Sequence, residues 1–63
     1  MRIDRVKFAT AIARADIKLI ELSAKSGVSR VTITAVKSGK SCSTETARKI
    51  AEALGVKLDS LTA

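Results

Sequence analysis

Glu21-Leu22-Ser23-Ala24-Lys25-Ser26-Gly27-Val28-Ser29-Arg30-Val31-Thr32-Ile33-Thr34 is the stretch on which the fold turns. Gly27 is the residue most able to take a positive φ, and it sits where a helix of about residues 18–26 must stop. Two residues later, Ser29 offers a hydroxyl to the free N–H groups of a new helix, Arg30 to Lys37. Leu22 lies on one side of the turn and Val28, Ile33 and Val36 on the other, so apolar contact can lock the two helices together. That is the requirement of a helix-turn-helix. The β-branched run Val31, Thr32, Ile33, Thr34, Val36 suits a strand by propensity. Its alternation is not clean, however, and Gly27 and Gly39 bracket a helix-length piece, so the spacing predicts a helix held by packing more than by local preference.

Outward from this stretch the punctuation continues. Asp4 caps a first helix over Arg5 to Ala15, with Phe8 and Ile12 one turn apart. A break follows near Asp16, and Asp16 and Lys18 both remain open as the start of the second helix. Gly39 is expected to close the third helix as Gly27 closes the second. Lys40 to Cys42 forms a basic loop. Ser43 caps a fourth helix that carries Glu45 in its first turn and Ala47, Ile50, Ala51 and Leu54 on one stripe, ending at Gly55. Val56, Leu58 and Leu61 make a short closing helix or turn that lids the core or supplies an interface. The expectation is an all-α bundle of four to five short helices in one domain over residues 1–63.

Composition narrows the chemistry. The chain has 63 residues, 46 % of them hydrophobic, with no histidine, one aromatic and one cysteine. Neither an imidazole base nor a usual Cys/His zinc site can be built, and Cys42 has no partner for an intramolecular disulfide. No cofactor or metal is expected. The acidic residues are dispersed, with no pairing that suggests acid–base catalysis, so an enzyme is the poorest reading. No glycine-rich phosphate loop is present. Twelve Lys and Arg against six Asp and Glu leave a net charge of +6, which favours polyanions. No apolar run is long enough to span a bilayer, and residues 1–14 lack the apolar core of a secretory signal. A cytoplasmic location is the default.

The stretch Glu21 to Thr34 resembles the helix-turn-helix core of Cro/CI-type (XRE-like) phage and bacterial repressors. The similarity continues through Ser38-Gly39-Lys40, Thr46-Ala47-Arg48-Lys49-Ile50-Ala51-Glu52-Ala53-Leu54-Gly55-Val56 and Leu58-Asp59-Ser60-Leu61. The resemblance implies a helical domain that binds double-stranded operator DNA as a homodimer. It places base-reading positions on Arg30, Val31, Thr34 and Ala35. It places backbone contacts on Ser29, Ser38 and Lys40, and on Lys18 and Leu19 at the start of the second helix. On physical grounds Arg30 suits a guanine edge, Val31 and Ala35 suit thymine methyls, and Lys40 with the free N–H groups near Ser43 suits phosphates.

Some positions depart from the family pattern. Leu19 replaces a common Gln that braces the DNA backbone. An Arg–Glu pair joining the first and third helices becomes Ile12 and Lys37, leaving Lys37 to face solvent or DNA. Cys42 stands where proline is frequent.

Bland readings compete with several assignments. Arg30 taken alone is an ordinary solvated arginine, and Lys40, Arg48 and Lys49 an ordinary charged face. Thr32 is best read as structural, bonding back to the preceding turn, while Thr34 is open. Cys42 is better read as a small, partly buried residue than as a reactive thiol. The rival functional reading is a helical interaction module, such as an antitoxin-like regulator, marked by an exposed apolar patch around Leu19 or Leu61. A membrane-surface peptide is a weaker rival. An RNA polymerase contact would add activation to repression. A span beginning at Met1 fits a complete small regulator or the amino-terminal domain of a larger one.

Overall fold

In the computed structural model, which describes residues 1–62, three of the four α-helices start after a residue whose side-chain oxygen accepts from first-turn N–H groups. The Asp4 carboxylate accepts from the N–H groups of Val6 and Lys7 at 2.8 and 2.9 Å and opens α1, Arg5–Ala15. Asp16 ends it in the left-handed region (φ 51°), and the Ile17 N–H reaches back to the Ile12 carbonyl. A non-glycine residue is uncommon there, though Asp tolerates it better than most. Lys18, and not Asp16, precedes α2, Leu19–Ser26, and its N–H donates to the Glu21 carboxylate at 3.3 Å.

The turn between α2 and α3, Arg30–Lys37, is tied by short polar contacts. Gly27 (φ 74°) donates its N–H to the Ser23 carbonyl. The Ser23 hydroxyl donates to the Val28 carbonyl at 2.7 Å, and the Val28 N–H donates to the Ser26 hydroxyl at 3.2 Å. Val28 itself is buried. Two serines therefore hold the main chain of the turn while an apolar side chain anchors it.

Gly39 does not repeat the ending at Gly27. Ser38 follows α3 still in right-handed geometry, and the positive φ of 93° falls one residue later, at Gly39. The Lys40 N–H then bonds the Ala35 carbonyl and the Gly39 N–H the Val36 carbonyl, each at 3.0 Å. This is the two-bond Schellman closure, whereas Gly27 makes the simpler single bond. The difference inserts one right-handed residue, Ser38, between α3 and its glycine, and Lys40 follows the closure.

Ser43 caps α4, Thr44–Leu54, accepting from the Thr46 N–H at 3.1 Å, and Gly55 closes it. A single 3-10 turn, Leu58–Ser60, follows. α4 packs against α2, α1 and that turn, while α3 packs against α2 and α1. Phe8, Leu22, Ile33, Val36, Ile50 and Leu61 are fully enclosed among these elements. The expected all-α bundle is the observed one. Leu61 is a core residue, and Val56, Leu58 and Leu19 are half-buried against the core.

One core residue has no counterpart in the sequence reading. Ile3 is 1 % exposed and forms an isolated antiparallel bridge with Thr62. Beside it the Asp4 N–H donates to the Leu61 carbonyl at 2.8 Å, and Lys7 Nζ donates to the Thr62 carbonyl at 2.7 Å. The two ends of the described chain thus close over α1 and α4 as a short non-helical seam.

Candidate nucleic-acid interface

α3 is fixed by its inner face. Ile33 is 0 % and Val36 1 % exposed, three residues apart and so on one side of the helix. That leaves Arg30, Val31 and Thr34 on the outside, all exposed. Val31 is 81 % exposed, the highest value among the large apolar side chains of the described residues that lie on the surface. Ala35 lies between the two faces and is half-buried. Together with Ser38 and Lys40 these four side chains line one shallow concavity along α3. All six were candidates from the sequence.

The other three candidates stand apart from that concavity. Lys18 is exposed at the start of α2. Ser29 and Ser43 are exposed, but their hydroxyls already cap α3 and α4. Ser29 Oγ also shares a 2.9 Å hydrogen bond with Thr32 Oγ1, and the Ser43 hydroxyl donates to Thr46 Oγ1 at 2.9 Å. The hydroxyl of Thr32 therefore belongs to the cap, in line with its structural reading.

Donor availability separates the remaining polar groups. The Ser38 hydroxyl donates to the Thr34 carbonyl at 3.0 Å, and the Ser38 N–H bonds the carbonyls of Thr34 and Ala35. Lys40 uses its N–H in the helix closure, but its exposed ammonium has no salt-bridge partner among the described residues. On this surface Arg30 and Lys40 are the groups with charge and donors to offer an anion.

Arg30 is placed against local electrostatics. It is the first residue of α3, whose first turn carries no acidic side chain. A cation there opposes the partial positive charge of the helix start. The single ion pair among the described residues joins Glu45 and Lys49 on α4 at 3.6 Å, so no carboxylate compensates Arg30. Among the described residues Arg30 is exposed and has no ion-pair partner.

Positions that depart from the family pattern are also placed. Ile12 is half-buried against the core and Lys37 is exposed, so an apolar contact and a solvated cation stand where a paired Arg and Glu are common. Neither change leaves an unpaired buried charge. Leu61 is enclosed by the core and Leu19 is half-buried against it, while Ile20 beside Leu19 is 58 % exposed.

Sequence reasoning missed what steadies the loop carrying Lys40. Met1 and Cys42 pair through their main chains, with the Cys42 N–H donating to the Met1 carbonyl at 2.8 Å. A main-chain contact of this span has no signature in side-chain pattern.

Two helices locked through a three-residue turn, with the second presenting an uncompensated arginine and an exposed valine, define a helix-turn-helix protein. A helix-turn-helix family model matches residues 9–61, and the chain belongs to the XRE/Cro-CI type of that family. It is a DNA-binding protein of the transcription-regulator class. Neither the curated proteins nor the solved structures compared with it contain a match. No helix among the described residues is long and apolar enough to cross a membrane.

Proposed function

We propose that the chain is a cytoplasmic, phage- or prophage-type repressor that binds an inverted-repeat operator as a homodimer, with α3 in the major groove. The observation that carries this reading is the single surface formed by Arg30, Val31, Thr34, Ala35, Ser38 and Lys40 on a helix whose opposite side is locked into the core. Arg30 donates to guanine O6 and N7, while Val31 and Ala35 meet methyl groups. Lys40 and Lys18 hold phosphates, and the first-turn N–H groups at Ser29 and Ser43 support them, fixing register without reading sequence. Repression follows from occupancy of the operator and needs no catalysis.

Two α3 helices related by a dyad must lie one DNA turn apart, about 34–36 Å, to read the same face of the duplex. The test is selection on a random duplex library, with the mass of the protein–DNA complex measured by light scattering. An enriched inverted repeat with half-sites about 10 base pairs apart, bound by two chains, is the expected result. Tight binding with no sequence enrichment would overturn the reading and leave a sequence-blind cationic domain.

A further inference from the structure

The outward side chains of α3 differ in what they ask of a base. Arg30 carries donors only and selects acceptors, which guanine presents as a pair. Thr34 carries a hydroxyl that both donates and accepts, so it takes thymine O4 or the cytosine N4 amino group alike. Val31 and Ala35 carry neither. Ser38 uses its hydroxyl proton on the Thr34 carbonyl, and Lys40 lies beyond the helix end. No carboxylate lines this surface, and a carboxylate is the group that would single out cytosine by its amino donor.

The exposed valine can be covered favourably only by carbon. On a pyrimidine edge in the major groove, that carbon is the substituent at C5. Thymine carries a methyl there and so does 5-methylcytosine, whereas uracil and cytosine carry hydrogen.

We infer that the α3 surface reads the C5-methyl group of a pyrimidine without reading which pyrimidine bears it, so that 5-methylcytosine facing Val31 is bound as thymine is. The ligand class is then a duplex methylated at cytosine C5, and occupancy of a site containing such a cytosine depends on its methylation. The inference rests on the proposed insertion of α3 in the major groove.

The experiment takes the sequence enriched by selection and varies one pyrimidine, the one at which Val31→Ala changes preference. Four duplexes carry thymine, deoxyuracil, 5-methylcytosine or cytosine there, and the intact chain is titrated against each. The thymine-to-uracil and 5-methylcytosine-to-cytosine affinity ratios should agree, each about fourfold, the factor that corresponds to burial of one methyl-sized group. Both should fall towards one in Val31→Ala, whose exposed position leaves the core untouched. Equal binding of thymine and uracil, or of the two cytosines, overturns the inference, as do ratios that survive in Val31→Ala and a preference between thymine and 5-methylcytosine larger than the methyl ratios themselves. A selection that returns no preferred sequence removes the DNA-reading role itself. A preferred sequence with flat methyl ratios removes only the methyl reading.

Discussion

Met1 and Cys42 are joined by a reciprocal pair of main-chain hydrogen bonds: the Met1 nitrogen donates to the Cys42 carbonyl at 3.0 Å, and the Cys42 N–H donates to the Met1 carbonyl at 2.8 Å. Cys42 follows the Lys40 rim of the interface, and Met1 leads into Ile3, which is buried between the chain ends. The loop after α3 is thereby tied to the core through a segment outside every helix. Ile3→Ala should cost about 2–5 kcal/mol, the range for truncating a fully buried aliphatic side chain. That is a large part of the stability of a domain this small. Urea denaturation checks the loss. Hydrogen exchange should also show the Cys42 amide losing protection, which an effect confined to Ile3 would not produce.

Gly39 and Gly27 both have positive φ, but they predict different costs. A Cβ on Gly27 meets nothing within 4 Å, so Gly27→Ala carries only the conformational penalty of about 1–2 kcal/mol. A Cβ on Gly39 would stand 3.1 Å from Cδ of Arg5. Gly39→Ala should therefore be the more destabilising of the two. Adding Arg5→Ala should recover the excess, since the obstacle is a flexible side chain on the surface. A double-mutant cycle measures that coupling, and a coupling of zero would show that the stem of Arg5 moves aside freely.

Most of the fold was legible because its rules are local. Asp4, Ser29 and Ser43 cap their helices as their side-chain oxygens dictate, and Gly27 and Gly55 end α2 and α4. The outward side of α3 was legible because Ile33 and Val36 set its phase. What escaped is non-local or angular. Ile3 is one apolar residue between Arg2 and Asp4, with no periodicity to reveal that it pairs with Thr62. Ala35 sits at the margin between the two faces, where a small rotation decides burial. The bond between Ser38 and the Thr34 carbonyl depends on a rotamer, which composition does not specify.

The carboxyl of Asp4 is held below the usual carboxylate range, first by the hydrogen bond from the Lys7 N–H. Partial desolvation opposes this, while the Val6 N–H and the charges of Lys7 and Arg5 add to it. A depressed folded-state pKa stabilises the fold fully above the unfolded value and progressively less as pH falls through the folded one. Asp4→Asn keeps a competent cap but removes the charge. The parent chain should therefore exceed Asp4→Asn in stability at neutral pH, and the difference should vanish below the carboxylate range. Denaturation curves collected across acid pH test this. A difference that grew on acidification would reverse the sign and refute the assignment.

Arg30 and Lys40 lie on one surface but should fail in different ways. If Arg30 reads a guanine edge, Arg30→Ala should lower the preference for the right base pair by about 1–3 kcal/mol at one position and leave the others alone. Lys40→Ala should weaken all sequences alike and reduce the slope of log affinity against log salt by about 0.9, one phosphate contact. Stability gives an independent check. Arg30 opposes the dipole of α3 and has no carboxylate partner among the described residues, so Arg30→Ala should leave the free protein as stable or more stable, by up to about 1 kcal/mol. Lys40, outside the helix, should show no such gain. A loss of stability in Arg30→Ala would reveal a structural role for the side chain, and unchanged base preference would remove it from the reading surface.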